Sequence, residues 1–340
     1  MVKLKDIARE TGLTISTVSK ALNNSREISE ATTERVLAVA NAMGYRTRTA
    51  EIRRETNIIG AILPEVRSYA YAELVHVLSA EVERCGYHLI VAITDNFLDD
   101  VAPHIERMLA LNVSGLFINS VAGLSKNGQR LLQEHNMPAI IMKHIDTDEP
   151  FGIDSIYIKD SVGIRLIVSH LLELGHRKIG YLGEYLSFQR HDALCETLKQ
   201  CGLEVNPAFI KTGEERFEEG GYLRAQELLR EPELPTAVLT SYDQMAYGAT
   251  RAFMEHGLRV PEDISVVGFD NVAQGAYYPV PLTSTSNPVE QMGITAVKLL
   301  MDAIRSPMDH VVQNIAIQGK LVVREFTCPP RSSKGKDDIL

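Results

Sequence analysis

A single glycine between two short apolar stripes limits what the first 45 residues can become. Ile7 and Ala8 form one stripe, Val18, Ala21 and Leu22 form the other, and Gly12 lies between them. Having no Cβ, Gly12 can take the left-handed conformation that ends a helix. Thr14 supplies a hydroxyl suited to cap the next one, and Ala8 is small enough for the two helices to cross closely. This pattern describes a helix-turn-helix, whose second helix enters the DNA major groove. A helical hairpin packed against another element would carry the same stripes. Two features favour the first reading. The outer face of the second helix holds Ile15, Ser16, Ser19 and Lys20. A third amphipathic helix follows, opened by Ser29, striped by Val36, Val39, Ala40 and Met43, and stopped by Gly44. Three helices can enclose a small core; two could not.

Charge supports the same division. The 340 residues carry a formal charge of −9, yet residues 1–54 hold ten Lys and Arg against six Asp and Glu, and the remainder holds 25 against 38. A basic head on an acidic body orients its own encounter with phosphate. Hydrophobic content of 45% supports real cores, while no apolar run reaches the length of a membrane span. The opening Met1-Val2-Lys3-Leu4-Lys5-Asp6 has no signal-peptide core, so a cytoplasmic location is expected. Cys85, Cys195, Cys201 and Cys328 lack metal-ligand spacing and are expected to be free thiols.

After a polar, mostly basic stretch at 46–56, read as a linker, the pattern changes. Ile58 to Leu63 is a continuous apolar run ending at Pro64, the mark of a buried parallel strand. Helices and strands then alternate to Met142, and the alternation restarts near Asp160 and runs to Phe269. Two such series predict two doubly wound parallel sheets. A helix from Val289 and a strand near Val311 to Ile317 are expected to return to the first lobe. The organisation expected is a headpiece at 1–45, a linker at 46–56, a body at 57–328 and a disordered tail at 329–340. Within the body the first lobe takes 57–158 and 289–316, and the second takes 159–288 and 317–328.

Ligands of open α/β sheets bind at the carboxyl ends of the strands, here in a crevice between lobes. That rule nominates Asn119, Lys143, His144, Asp243 and Asp270. Arg190, placed in a loop before its helix, could fork onto a polar ligand, so Arg190→Ala is expected to spare DNA binding and remove the ligand response. Tyr71 and Phe217 could stack on the apolar face of a sugar. Each has a plainer reading: Asp270 as the cap of a turn, Arg190 as a salt bridge, Phe217 as core, His144 as a polar rim residue. His170, Glu173 and His176 are read as helix-end electrostatics rather than a metal site. No G-x-G-x-x-G, P-loop, G-x-S-x-G or paired cysteine ligands occur, so neither an enzyme nor a cofactor is implied.

Lys5-Asp6-Ile7-Ala8, Thr17 to Asn23, Ser29, Arg35-Val36 and Met43-Gly44-Tyr45 resemble the headpiece of the lactose-repressor (LacI/GalR) family of bacterial transcription regulators. The resemblance continues through Gly175-His176-Arg177-Lys178-Ile179, Gly257 to Asn271 and Pro281-Leu282-Thr283, covering about residues 1–328. It implies an all-α helix-turn-helix headpiece joined to a periplasmic-binding-protein-like α/β body. The implied function is a ligand-responsive repressor of carbohydrate-utilisation genes, a homodimer on a near-palindromic operator. A DNA-binding scaffold with a vestigial cleft is the alternative, followed by a sugar-binding or enzyme-like domain. The resemblance implies that Ile15, Ser16 and Lys20 read base edges, with Thr17, Ser19, Asn23, Ser29 and Tyr45 positioning phosphates. It also implies effector contacts by Asn119, Arg190, Phe217 and Asp270. Tyr242 departs from it, standing where many relatives place Asn, and Lys143 with His144 would favour an anionic effector such as a sugar acid or sugar phosphate. The linker departs furthest. Relatives carry a Pro-Asn pair and a short helix whose Leu wedges into the minor groove. Here Arg46-Thr47-Arg48 follows Tyr45, and Ile52 is the one large apolar residue, so a shortened or absent hinge helix is expected.

Overall fold

The computed structural model describes residues 3–22, 28–43, 56–94, 100–119, 123–143 and 152–331. The expectations for Asn23, Tyr45, Ile52, His144, the linker at 46–55 and the tail beyond residue 331 lie outside these residues.

The headpiece consists of α1 (Leu4–Thr11), α2 (Ile15–Leu22) and α3 (Glu30–Ala42). Gly12 ends α1 at φ +67°, and Leu13 N–H closes the turn on the Ala8 carbonyl at 3.1 Å. Thr14 Oγ1 accepts from the Thr17 N–H at 3.1 Å and so caps α2; Ser29 Oγ does the same for α3 from Thr32, at 3.4 Å. Ile7, Ala8, Val18, Ala21, Val36 and Ala40 make the core. Arg35 donates to the Thr11 carbonyl, one of the acceptors that the end of α1 leaves open.

The body begins with β1 (Ile58–Leu63), α4 (Tyr69–Arg84), β2 (His88–Ile93), α5 (Ala102–Ala110), β3 (Gly115–Asn119), α6 (Lys126–Glu134), β4 (Ala139–Lys143) and β5 (Asp154–Ile158). It continues with α7 (Asp160–Glu173), β6 (Ile179–Glu184), α8 (Phe188–Gln200), β7 (Ile210–Gly213), α9 (Phe217–Leu228), β8 (Ala237–Thr240), α10 (Asp243–Glu255), β9 (Ser265–Asp270) and β10 (Ser284–Ser286). The last elements are α11 (Val289–Arg305), β11 (Asn314–Ile317) and β12 (Leu321–Val322). One sheet runs β11-β5-β4-β3-β1-β2 and the other β12-β10-β9-β8-β6-β7. All pairings are parallel except that of β12 with β10. Val289, Met292, Ala296 and Leu300 of α11 pack into the first lobe's core, so the chain passes between lobes after β5, after β10 and after β11.

Strand order reverses at β1 in one lobe and at β6 in the other. Each reversal opens a crevice at the carboxyl ends, between β1 and β3 and between β6 and β8. The polar strand β5 has no counterpart in the sequence analysis. It is buried because the returning chain satisfies it: Asp154 accepts from the Gln313 N–H at 2.7 Å and meets His310 Nε2 at 2.6 Å.

Helices α9 and α10 cross in backbone contact. A Cβ on Gly248 would stand 1.8 Å from the Glu218 carbonyl oxygen, and one on Gly221 2.0 Å from that of Met245. Backbone atoms cannot yield as side chains do, so Gly248→Ala is expected to push the helices apart. The expected cost is about 1–3 kcal/mol. Urea unfolding should show a lower midpoint with unchanged slope.

Candidate functional site

Helix α2 sorts its residues by face. Val18 and Ala21 are buried, whereas Thr14, Ser16 and Lys20 are exposed and Ile15 is 52% exposed. An exposed Ile beside short hydroxyls offers a thymine methyl an apolar partner and base edges both donors and acceptors. Thr17 and Ser19 are half-buried on the flanks, with Thr17 Oγ1 2.8 Å from Thr14 Oγ1. Ser29 is exposed at the start of α3.

In the first lobe, Glu65 and Asn119 stand at the switch point, just beyond β1 and at the end of β3. Tyr71, in the first turn of α4, donates its hydroxyl to Asn119 Oδ1 at 3.0 Å. Burial, reinforced by Glu65, holds the Tyr71 phenol well above its ordinary pKa. Ser68 caps α4 by accepting from the Tyr71 N–H at 3.2 Å. Glu65 Oε2 accepts from the backbone N–H groups of Arg67 and Ser68, the latter at 2.9 Å. Lys143 ends β4; the position of its side chain lies outside the description.

In the second lobe, Arg190 lies in the first turn of α8 rather than in a loop. It is buried, and all three nitrogens have partners. Nε donates to Asp160 Oδ2 at 2.8 Å, Nη1 to the Ser241 carbonyl, and Nη2 to Asp270 Oδ1 at 3.4 Å. Its carbon Cζ stands 3.9 Å from the centre of the Phe269 ring. Burial alone would lower its pKa, but Asp160 and then Asp270 raise it further than burial lowers it. This guanidinium is engaged by its own lobe, the salt-bridge arrangement that the sequence also allowed. Asp270, at φ +103°, is steadied by Asn287, whose Nδ2 donates to the same Oδ1 at 3.1 Å.

Asp243 is buried and bonded within its own lobe. Oδ2 accepts from the Val272 N–H at 2.7 Å and Oδ1 from Ser284 Oγ at 2.6 Å, so it ties down the loop after Asp270. Burial, then the charge of Asp270, pushes its pKa up to about 8. Tyr242 accepts the Phe217 N–H on its hydroxyl at 2.9 Å, holding a residue with φ +58° at the start of α9. The Phe217 ring has Arg216 4.6 Å and Arg67 5.3 Å from its centre. Its face is occupied by cations from both lobes.

Sequence reasoning missed Glu65, Glu184, Arg216 and Asn287. Arg216 Nε donates to Glu184 Oε2 at 2.6 Å, and its Nη2 lies 3.9 Å from Glu65 Oε1, linking the lobes. Burial raises the Glu184 pKa against the pull of Arg216. The strand-end rule would have found both glutamates had it been applied to Pro64 and to Gly183; no pattern marks Arg216. His170 and His176 are joints to the final segment, with His170 Nε2 2.9 Å from Thr327 Oγ1 and His176 Nε2 2.9 Å from the Cys328 carbonyl. Among the described residues no cluster of His, Cys, Asp and Glu could hold a metal, and no helix is long and apolar enough to cross a membrane.

A helix-turn-helix on a two-lobed periplasmic-binding-protein-like body defines a ligand-responsive DNA-binding regulator. Residues 3–48 match the family described as bacterial regulatory proteins, lacI family, and residues 168–327 match the periplasmic binding protein-like domain. The HTH-type transcriptional repressor PurR of Haemophilus influenzae (strain PittEE) is 30% identical over 336 residues, covering 96% of this chain and 98% of the relative. The Lac repressor dimer bound to operator and the anti-inducer ONPF superposes with a TM-score of 0.70 at 27% identity, over 96% of this chain and 99% of that one. A LacI family regulator from Enterococcus faecalis V583 with bound ribose gives 0.70 at 25% identity, over 81% of this chain and 100% of that one. The chain belongs to the lacI family of bacterial regulatory proteins, and it is a transcriptional repressor rather than an enzyme.

Proposed function

We propose that the chain acts as a homodimer on a near-palindromic operator and that a small polar effector, a saccharide, binds between its lobes and alters operator affinity. The observation that carries this reading is the meeting of the two switch points: Arg216, bonded to Glu184 at the end of β6, reaches to 3.9 Å from Glu65 beyond β1, with the Tyr71–Asn119 pair in the first lobe and the Arg190–Asp270 pair in the second. The operator-bound Lac repressor dimer and the ribose-bound Enterococcus faecalis regulator support it by similarity. An effector shifts DNA affinity only by the difference in its affinity for two lobe arrangements. A cleft with groups on both sides can provide that difference. One headpiece reaches only a few base pairs, which favours paired half-sites.

Ile15, Ser16 and Lys20 are proposed as base readers, with Thr17, Ser19 and Ser29 on phosphates. Exchanging Ile15 and Ser16 should change the preferred operator, each lost base contact costing about 1–3 kcal/mol, while Lys20→Ala weakens binding. Selection of operators from a random DNA pool, followed by titration at fixed salt, checks both. Wild-type selection by the Ile15 and Ser16 exchange, with wild-type affinity in Lys20→Ala, would remove α2 from the interface. A monomer in light scattering at micromolar concentration would remove the dimer.

A further inference from the structure

Resting on that reading of the cleft, we infer that the effector is a donor-bearing molecule without negative charge, and that Glu65 and Glu184 exclude its anionic analogues. Both glutamates stand at switch points, Glu65 beyond β1 and Glu184 at the end of β6. With Asp160 and Asp270 they make four buried or nearly buried carboxylates around two guanidiniums, Arg190 and Arg216. Neither guanidinium is spare. Arg190 has committed Nε, Nη1 and Nη2 to its own lobe, and Arg216 is divided between Glu184 and Glu65. A carboxylate or phosphate entering here would have to draw an arginine from a buried carboxylate and leave that charge unpaired, which is costly away from water.

The polar atoms left without a partner point the same way. Glu65 Oε1, Asp160 Oδ1 and Asn287 Oδ1 are buried acceptors with no hydrogen-bond partner, and Asn119 Nδ2 is a buried donor with none. Buried polar groups are nearly always satisfied, so such atoms ask for a partner that the chain does not supply. Hydroxyl or ammonium hydrogens meet the three acceptors, and a hydroxyl or ring oxygen meets Asn119. An anionic oxygen can answer only the last of these. Arg67 is exposed on the rim over Phe217, where solvent screens its charge.

The test is a matched series titrated calorimetrically into the purified full-length dimer: glucose, glucosamine, glucuronate and glucose 6-phosphate, then ribose, ribose 5-phosphate, adenosine and adenosine 5′-monophosphate. In the scaffold that binds, the neutral or amine-bearing member should bind at least about tenfold more tightly than its anionic counterpart. Glu65→Gln and Glu184→Gln should each reduce that ratio severalfold; two variants keep the test open should one fail to fold by circular dichroism. An anionic member binding as tightly as its neutral counterpart in the wild type overturns the inference while leaving the cleft a ligand site. So does discrimination that is unchanged in both variants. If no member binds to wild type or variants, the saccharide reading of the cleft falls, and the charge filter with it.

Discussion

Arg190→Ala is expected to destabilise the second lobe by about 3–5 kcal/mol, the range for breaking a buried ion pair from one side. The side chain is enclosed by Asp160, the Ser241 carbonyl, Asp270 and the face of Phe269. Truncation leaves one buried carboxylate, Asp160, and one nearly buried, Asp270, with no cation between them. Arg190→Lys keeps one charge but cannot reach three partners at once, so an intermediate loss is expected. Chemical denaturation followed by circular dichroism measures both; the chain has no Trp to report by fluorescence. Operator affinity should then fall because less dimer is folded. The simple separation of DNA binding from ligand response expected from the sequence would not be seen. A variant with wild-type stability would show that Asp160 and Asp270 find other partners.

Stability should also fall as pH rises through neutrality, and Asp243 is the reason. Its folded pKa of about 8 stands above the ordinary 3.8, so between these values the folded chain binds a proton that the unfolded chain has released. The unfolded state therefore gains relative to the folded one as pH rises, at no more than about 1.4 kcal/mol per pH unit. The loss is complete above the folded pKa. The ionised carboxylate would face Asp270, with the Ser284 hydroxyl, the Val272 N–H and Arg324 as its compensation. Denaturation midpoints from pH 5 to 9 should slope downward, and Asp243→Asn should flatten that slope. A slope unaltered in the variant would assign it to other groups.

Much of the headpiece was legible because its signals are local. The Gly12 stop, the Thr14 and Ser29 caps and the spacing of Ile7, Ala8, Val18 and Ala21 act within a turn or two, and the structure realises each within that range. The parallel strands β1, β3 and β4 were legible because burial on both faces leaves continuous apolar runs. Strand β5 was not, since Asp154 is buried only by partners 156 and 159 residues further on. In the cleft the strand-end rule reached Asn119 and Asp270, but not what they are bonded to.

By itself, the sequence determined most of the helices and the apolar strands, that a basic headpiece precedes an acidic two-lobed body, and which ends of the strands face the crevice. Only the tertiary structure decided which charges meet there. Arg190 takes partners 30, 51 and 80 residues away, and Arg216 reaches back to Glu65 in the other lobe. Periodicity and capping are written in neighbouring residues, whereas the pairing of buried charges depends on three passages of the chain between lobes. It is settled by whichever arrangement leaves the fewest of those charges without a partner.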